Sequence, residues 1–294
     1  MSKFFQALEH AERERAHDMA VAPAGGPAPL VERAEAYGAP IARNGEAAHA
    51  GSFSALLPTP PAVEASEVDD HLVSVLDPTS VAAEQYRGIR LAIENYRRER
   101  GTRVVAIASP ARSDGKTTTA INLAGALAQA REARVVVVEA DLRHPSMARV
   151  LGLPGTHGLS AYLLDHSLGS DQVIEWPRGL SFGVVVAGAP SSMPYELLAS
   201  ARLSGLLAEL RERFDFVLVD TPPALPFPDV GILRDVVDGF LLVVRAKRTP
   251  REQVHECLNA IGPQRVLGMV FNDDDRTGAV ASRELPRRRF PRLA

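Results

Sequence analysis

The sequence is poor in cysteine and has no long apolar run. Of 294 residues only Cys257 is a cysteine, which excludes an internal disulfide and fits a reducing compartment. Its neighbours Val254, Leu258 and Ile261 recur at helical spacing and predict a buried, structural thiol. No apolar segment approaches the roughly 18–20 residues needed to cross a bilayer, and the first 20 residues are charged throughout, unlike a signal peptide. We therefore expect a cytoplasmic chain that reaches the inner face of a membrane only through a partner.

The sequence also lacks a large excess of charge of either sign. The formal net charge is −3 and the pI is near 6.3, so nothing in the chain as a whole favours nucleic acid, and we expect no such partner. Hydrophobic residues make up 46% and charged residues 23%, which is the balance of a soluble globular core.

Composition divides the chain into four parts. Residues 1–20 predict an amphipathic helix, which is either solvated or docks on a partner. Residues 21–70 are rich in Ala, Pro and Gly and predict a flexible, disordered linker. Residues 75–273 carry the pattern of an ordered domain. Residues 274–294 predict a basic, disordered tail, which is either solvated or contacts an acidic partner or anionic lipid.

The ordered part alternates short β-branched runs with helical stretches. Helices are predicted over residues 78–98 and 119–129, among others. Several runs, such as VVVVEA and FVLVD, are apolar throughout, which is typical of strands covered on both faces. The alternation predicts an α/β fold with a doubly wound, mostly parallel sheet and helices on both faces. The predicted strands are residues 103–108, 134–139, 182–187, 215–220, 239–245 and 265–271.

The strongest local motif is SPARSDGKTT at residues 109–118, between a predicted strand and a predicted helix. Backbone N–H groups of such a loop can wrap a phosphate, and the helix N-terminus adds about half a positive charge. The motif assigns Lys116 to the β- and γ-phosphates and the Thr117 hydroxyl to Mg²⁺, so it predicts a P-loop NTPase. Pro110 replaces the first glycine of the usual pattern, and the strand–loop–helix context supplies what the motif lacks. The predicted phosphate-binding residues are Ser113, Asp114, Gly115, Lys116, Thr117 and Thr118.

Three acidic residues follow predicted strands. Glu139 and Asp141 lie at the end of VVVVEAD, and Asp220 ends FVLVD before Thr-Pro-Pro. Because ligands bind at the carboxyl edge of open α/β sheets, these carboxylates are candidates to hold Mg²⁺ through its waters or to take a proton from an attacking hydroxyl. An apolar strand that ends in Asp is the Walker B pattern, whose carboxylate orders a metal-bound water.

Taken in order, the motifs SPxxxxGKTT, VVVVEADLRHP, FVLVDTPP and DGFLLVVR resemble the bacterial tyrosine kinases of capsule and exopolysaccharide production. The resemblance spans about residues 78–272. It implies ATP and Mg²⁺ as cofactors and phosphate transfer to protein tyrosines. It also implies catalytic roles for Lys116, Glu139, Asp141 and Asp220, with the metal held by Thr117, Asp141 and Asp220. Asn272, after the last strand, either contacts adenine or is an ordinary turn residue.

The family also carries an E-x-x-R-x-x-R element that builds contacts between subunits of a ring. In this sequence the element consists of Glu84, Arg87 and Arg90, on the helix predicted over residues 78–98. The alternative is an ordinary helix whose charge pairs are solvated. The resemblance therefore implies a homo-oligomer. It also implies a separate membrane chain-length regulator, or polysaccharide co-polymerase, as a partner.

Two departures from the family keep other functions open. Glu139 stands where the family has an aspartate, and residues 274–294 contain no tyrosine, so substrate tyrosines would have to lie elsewhere, in trans. A catalytically weak ATP-binding regulator is one alternative. A ParA/MinD-type ATPase is another, although Ala111 replaces the additional lysine of that group.

Overall fold

The computed structural model describes residues 69–130, 132–155 and 158–274. The predictions for the N-terminal helix, the linker and the basic tail lie almost entirely outside the described residues. Regular elements run from Val73 to Asn272.

Six strands form one parallel sheet. They are β1 (Val104–Ala108), β2 (Val135–Glu139), β3 (Gly183–Val185), β4 (Phe216–Asp220), β5 (Gly239–Arg245) and β6 (Val266–Asn272). The strand order is β3-β2-β4-β1-β5-β6. The chain therefore builds β2, β3 and β4 on one side of β1, and then crosses to the other side to build β5 and β6. This reversal opens a crevice outside the carboxyl ends of the strands, where open α/β folds bind ligands.

Nine α-helices surround this sheet within the described residues. They are α1 (Val73–Leu76), α2 (Val81–Arg100), α3 (Lys116–Ala128), α4 (Met147–Val150), α5 (Leu159–Leu164), α6 (Pro194–Leu198), α7 (Ala201–Arg213), α8 (Asp229–Leu233) and α9 (Arg251–Ile261).

Every residue of β1, β2 and β4 is buried, as their continuous apolar sequences predict. Alternate side chains enter two cores, for example Val104 towards one and Val105 towards the other. Helices α2 and α3 cover one face, while α5, α7, α8 and α9 cover the other. Each large apolar side chain so buried contributes roughly 1.5–3 kcal/mol. The prediction of a doubly wound sheet with helices on both faces is confirmed. Cys257 lies in the same core as Val104 and has no exposed surface, as predicted.

The first long helix begins and ends slightly later than residues 78–98. Its N-cap is Ser80, whose side chain accepts a hydrogen bond from the Ala83 N–H at 3.1 Å. Its last residue is Arg100, because Gly101 takes a left-handed conformation at φ 69° and ends the helix. Among the described helices none combines the length and apolar character needed to cross a bilayer.

One glycine between α4 and α5 permits a close backbone approach. A Cβ on Gly158 would lie 2.2 Å from the Val186 carbonyl oxygen and 2.6 Å from the Gly188 nitrogen. Backbone atoms cannot move aside as flexible side chains do, so only glycine fits where α5 meets the end of β3.

We expect Gly158→Ala to lower the free energy of unfolding by about 2–4 kcal/mol, because the methyl group must push two chain segments apart. Gly205→Ala is the matched control, since Gly205 lies on the exposed side of helix α7 with nothing near its Cβ position. That variant should be more stable by about 0.5–1 kcal/mol. Denaturant unfolding of both variants measures the difference. Equal stabilities would contradict the close approach.

Candidate nucleotide-binding site

The loop between β1 and α3 has the geometry of a phosphate cradle. Helix α3 begins at Lys116 rather than at the predicted Thr119, because Gly115 (φ 100°) turns the chain directly into the helix. The 13-residue helix then points its free N–H groups and the positive end of its dipole at the loop. An anion held in the loop would be stabilised by both.

The last strand supports this loop from one side. The Asn272 side-chain amide donates to the Asp114 carbonyl oxygen at 2.9 Å. Gly115 is favoured by its φ of 100°, and a Cβ at this position would also displace the Asn272 amide from its hydrogen bond. Asn272 thus lies against the P-loop. The adenine contact suggested for Asn272 stays a prediction.

The side chain of Asp114 is buried inside the loop. It accepts hydrogen bonds from the Ala111 N–H at 2.9 Å and from the Thr249 hydroxyl at 3.0 Å. The neighbouring Ser113 has a positive φ of 63°, and its carbonyl accepts from the Arg245 guanidinium at 3.2 Å. Asp114 therefore shapes the loop with its carboxylate, and only its backbone and that of Ser113 are left to face a phosphate.

Lys116 and Thr117 stand at the start of α3. The Lys116 ammonium, on a residue only 7% exposed, donates to the Ser109 hydroxyl at 3.1 Å. The Thr117 hydroxyl donates to Asp220 Oδ2 at 2.6 Å and lies 3.2 Å from the Ser146 hydroxyl. The Thr118 carbonyl accepts from the Asn122 side chain at 3.0 Å, which fixes the first turn.

Asp220 is the most perturbed group of the site. It is 1% exposed, and its Oδ1 is buried without a hydrogen-bond partner. Burial raises its pKa to about 7, against the lowering effects of the Lys116 charge and the Thr117 hydrogen bond. A carboxylate oxygen that no protein group satisfies, beside a threonine hydroxyl, is a donor set that suits Mg²⁺ and its waters. The residues present therefore fit the metal that the P-loop motif implies.

Glu139 is held differently from the other acids. It has no exposed surface, and its Oε1 accepts from the Ser146 and Met147 N–H groups at 2.5 and 2.8 Å. Its Oε2 accepts from the Ala187 N–H at 2.9 Å. Burial raises its pKa, although these amides oppose the shift. The carboxylate thus joins the loop after β2 to the end of β3 and presents no exposed oxygen to a substrate.

Asp141 lies two residues further on and is partly exposed. Its Oδ1 accepts from the His144 N–H at 3.0 Å, and its charge contributes to the raised pKa of Asp220. Asp141 is therefore the acid after β2 that is open to solvent on the side of the phosphate loop.

A buried ion pair that the sequence motifs did not predict holds the loop after β2. Arg143 donates to both oxygens of Asp229 at 2.8 and 3.1 Å, and its guanidinium lies 4.2 Å from the centre of the Phe227 ring. Asp229 has no exposed surface, so the paired guanidinium offsets the cost of burying its charge. The sequence motifs also did not identify three residues that contact the site, because none of them belongs to a motif: Ser146, Asp229 and Thr249.

The three residues of the predicted oligomer contact face two ways. Glu84 and Arg87 pair with each other on the exposed side of α2. Arg90 instead donates to Glu94 at 2.7 Å and to the Ala126 carbonyl at 3.0 Å, so it joins α2 to the end of α3.

Comparison with known proteins agrees with this geometry. Residues 102–262 match the family model described as an AAA domain. The tyrosine-protein kinase YwqD of Bacillus subtilis is 34% identical over 209 residues, which cover 70% of this chain and 87% of YwqD. The putative tyrosine-protein kinase CapB of Staphylococcus aureus is 29% identical over 197 residues, 66% of this chain and 86% of CapB.

Solved structures give the same result. The kinase domain of the Escherichia coli tyrosine kinase ETK superposes with a TM-score of 0.64 at 27% identity, covering 68% of this chain and 79% of that domain. The chimerical protein CapA2B2 also gives a TM-score of 0.64, at 27% identity, covering 72% and 93%. MinD of Pyrococcus horikoshii, solved with Mg-ADP, shares the fold at 19% identity and a TM-score of 0.50, covering 60% of this chain and 72% of MinD.

The fold, the site and the matching family model define a P-loop protein of the AAA-domain family. Within that class, the chain belongs to the bacterial tyrosine-protein kinases of capsule and exopolysaccharide production. One further relative, the succinoglycan biosynthesis transport protein ExoP of Rhizobium meliloti, is 31% identical over 67% of this chain and 26% of ExoP.

The raised pKa of Asp220 predicts a pH effect on stability. The folded chain holds the Asp220 proton up to about pH 7, whereas the ordinary pKa is 3.8. The stability that Asp220 contributes is therefore fully present below pH 3.8 and is lost as the pH rises through 7. We expect Asp220→Asn, which does not titrate, to gain stability relative to wild type between pH 5 and 8. Denaturant unfolding without nucleotide across that range measures it, and a difference independent of pH would contradict the assignment.

The three amide contacts of Glu139 predict a structural penalty. Glu139→Gln replaces one accepting oxygen with an NH₂ group that faces a backbone N–H, so we expect about 1–3 kcal/mol less stability. Glu209→Gln on the exposed side of α7 is the matched control and should change stability by less than about 0.5 kcal/mol. Thermal unfolding compares the two variants. A fully stable Glu139→Gln chain that transfers no phosphate would contradict the structural penalty and support the catalytic role predicted for Glu139.

Proposed function

We propose that this chain transfers the γ-phosphate of ATP to tyrosine hydroxyls of proteins and thereby regulates capsule or exopolysaccharide production. The observation that carries the proposal is the cluster of Lys116, Thr117 and Asp220 at the mouth of the P-loop. It occurs in a chain whose relatives are named tyrosine-protein kinases.

In this proposal the nucleotide lies along the P-loop and the start of α3. The backbone N–H groups of residues 113–118 hold its phosphates, and the Lys116 ammonium leaves Ser109 to contact the β- and γ-phosphates. Thr117 and Asp220 would hold Mg²⁺, with Asp141 as a further acid beside them, and the metal would supply positive charge against the phosphates.

The acids then divide their roles by exposure. Asp141 is partly exposed, and one of its oxygens has no hydrogen bond within the part of the chain that the structure describes, so it is the better candidate to hold the proton of the attacking tyrosine. The sequence also assigned a catalytic role to Glu139. The geometry favours a positioning role instead, because its oxygens are buried and occupied by three amides.

Assembly with other chains also belongs to the proposal. The exposed pair of Glu84 and Arg87 is available to a second copy, with Arg90 setting the angle of α2. The partner in this proposal is a separate membrane chain-length regulator, or polysaccharide co-polymerase, which would hold this chain at the cytoplasmic face. The relative ExoP is named a succinoglycan biosynthesis transport protein, which supports a link to polysaccharide export. No nucleic acid is required.

A second candidate is an ATP-dependent regulator without phosphotransfer. The observation in its favour is the absence of tyrosine from residues 274–294, where the family carries its phosphorylated cluster. Nucleotide binding through Lys116 and Thr117 would then change only the contact with the membrane partner.

Phosphotransfer to an exogenous Glu/Tyr copolymer with Mg-ATP tests the two candidates. We expect wild type to phosphorylate it and Lys116→Ala to lose at least about 100-fold, because a cation on the transferring phosphate is removed. Arg248→Ala removes an exposed charge from the loop after β5 and should leave the rate unchanged. Wild type that binds ATP without phosphorylating the copolymer would favour the regulator.

A further inference from the structure

A kinase whose last 21 residues contain no tyrosine raises the question of which of its own tyrosines can receive phosphate. The sequence contains five, Tyr37, Tyr86, Tyr96, Tyr162 and Tyr195. Tyr37 lies outside the described residues. The other four differ sharply in how their hydroxyl groups are held.

Three of the four are engaged within the fold. Tyr86 packs against the core under α2, and burial raises the pKa of its hydroxyl. The Tyr96 hydroxyl donates to the Leu267 carbonyl at 2.8 Å. Tyr162 is 7% exposed and packs under the Arg202 guanidinium, 4.1 Å from its ring centre. A phosphate on any of these would require the surrounding structure to open.

Tyr195, in contrast, is exposed, and its hydroxyl group is not engaged by the described part of the fold. It is 42% exposed, on the first turn of α6, and its hydroxyl has no partner among the residues that the structure describes. The segment before it is fixed, since the Ser191 N–H donates to the Leu142 carbonyl at 3.0 Å and Pro194 starts the helix. Tyr195 is thus presented on an ordered element near the carboxyl edge of the sheet.

The ring of Tyr195 lines a surface cleft between α6, the start of α7 and α8. The cleft has a volume of about 630 Å³, and its polar lining includes Ser200, Ser204, Arg234 and Asp235. No P-loop residue lines it, and neither Asp141 nor Asp220 does. The cleft is therefore separate from the phosphate site of its own chain, so we expect the phosphate to come from another copy.

The same cleft contains a guanidinium with a weak partner. Arg234 is about half exposed, and its only ion pair among the described residues, to the adjacent Asp235, is 3.8 Å long. A phosphate adds about −1.5 to −2 charges and three strong acceptor oxygens at neutral pH, so it would compete well for this guanidinium. The cleft thus offers both an acceptor hydroxyl and a cation to hold the product.

We propose that Tyr195 is phosphorylated in trans by a second copy of this chain, an inference that rests on the proposed kinase function. The Tyr195 phenol oxygen bonds to the γ-phosphorus of ATP as the bond from that phosphorus to the β–γ bridging oxygen breaks. ADP leaves with the electron pair, and the phenol proton passes to a carboxylate of the donor copy. Phosphotyrosine 195 then stands beside Arg234.

A two-chain experiment separates donor from acceptor. The acceptor is the Lys116→Ala variant, and the donor is the Tyr195→Phe variant. The two are mixed with Mg-ATP, and phosphorylated residues are mapped by mass spectrometry. We expect phosphate on Tyr195 of the acceptor, and at least 10-fold less on an acceptor that carries both Lys116→Ala and Tyr195→Phe. Lys116→Ala with Tyr96→Phe is the matched control and should accept as much as Lys116→Ala alone.

The donor is assayed in parallel on the Glu/Tyr copolymer, so that the two proposals fail separately. Phosphorylated copolymer with no phosphate on Tyr195 would overturn this inference and leave the kinase function standing. Phosphate on Tyr195 of wild type but not of the Lys116→Ala acceptor would also overturn it, since transfer would then occur within one chain. No transfer to either, with ATP bound, would overturn both.

Discussion

The register between β2 and β4 is the constraint on which the site depends. It pairs Glu139 with Asp220, so two acidic residues end neighbouring, wholly buried strands. Two such charges repel each other and lose hydration, and each needs its own compensation. Backbone amides surround Glu139, while Lys116 and Thr117 lie against Asp220. The different roles proposed for the two acids, positioning for Glu139 and metal binding for Asp220, rest on these different surroundings.

The P-loop is consequently held from both sides of β1. On the β4 side, Asp220 fixes the Thr117 hydroxyl, and on the β5–β6 side Thr249 and Asn272 hold the loop through Asp114. This bracing explains how the loop keeps its shape with Pro110 in place of a glycine. It also means that both halves of the sheet must be in place for the loop to accept phosphates.

Local sequence could predict the parts of this structure that depend on neighbouring residues. Runs such as FVLVD predicted buried strands, and the order of motifs predicted the fold and the loop. What could not be predicted depends on distant chain segments. Arg143 and Asp229 are 86 residues apart, and no spacing rule joins them. The direction of the Glu139 side chain depended on amides from two later loops, and α3 began early because of the single φ of Gly115.

The contact between Asn272 and Asp114 spans 158 residues, from the final strand back to the phosphate loop. During synthesis the loop leaves the ribosome long before the strand that braces it. A nascent or prematurely terminated chain would therefore carry the complete nucleotide motif while the loop still lacks this contact. The support that Asn272 gives to the loop arrives only when β6 has been made.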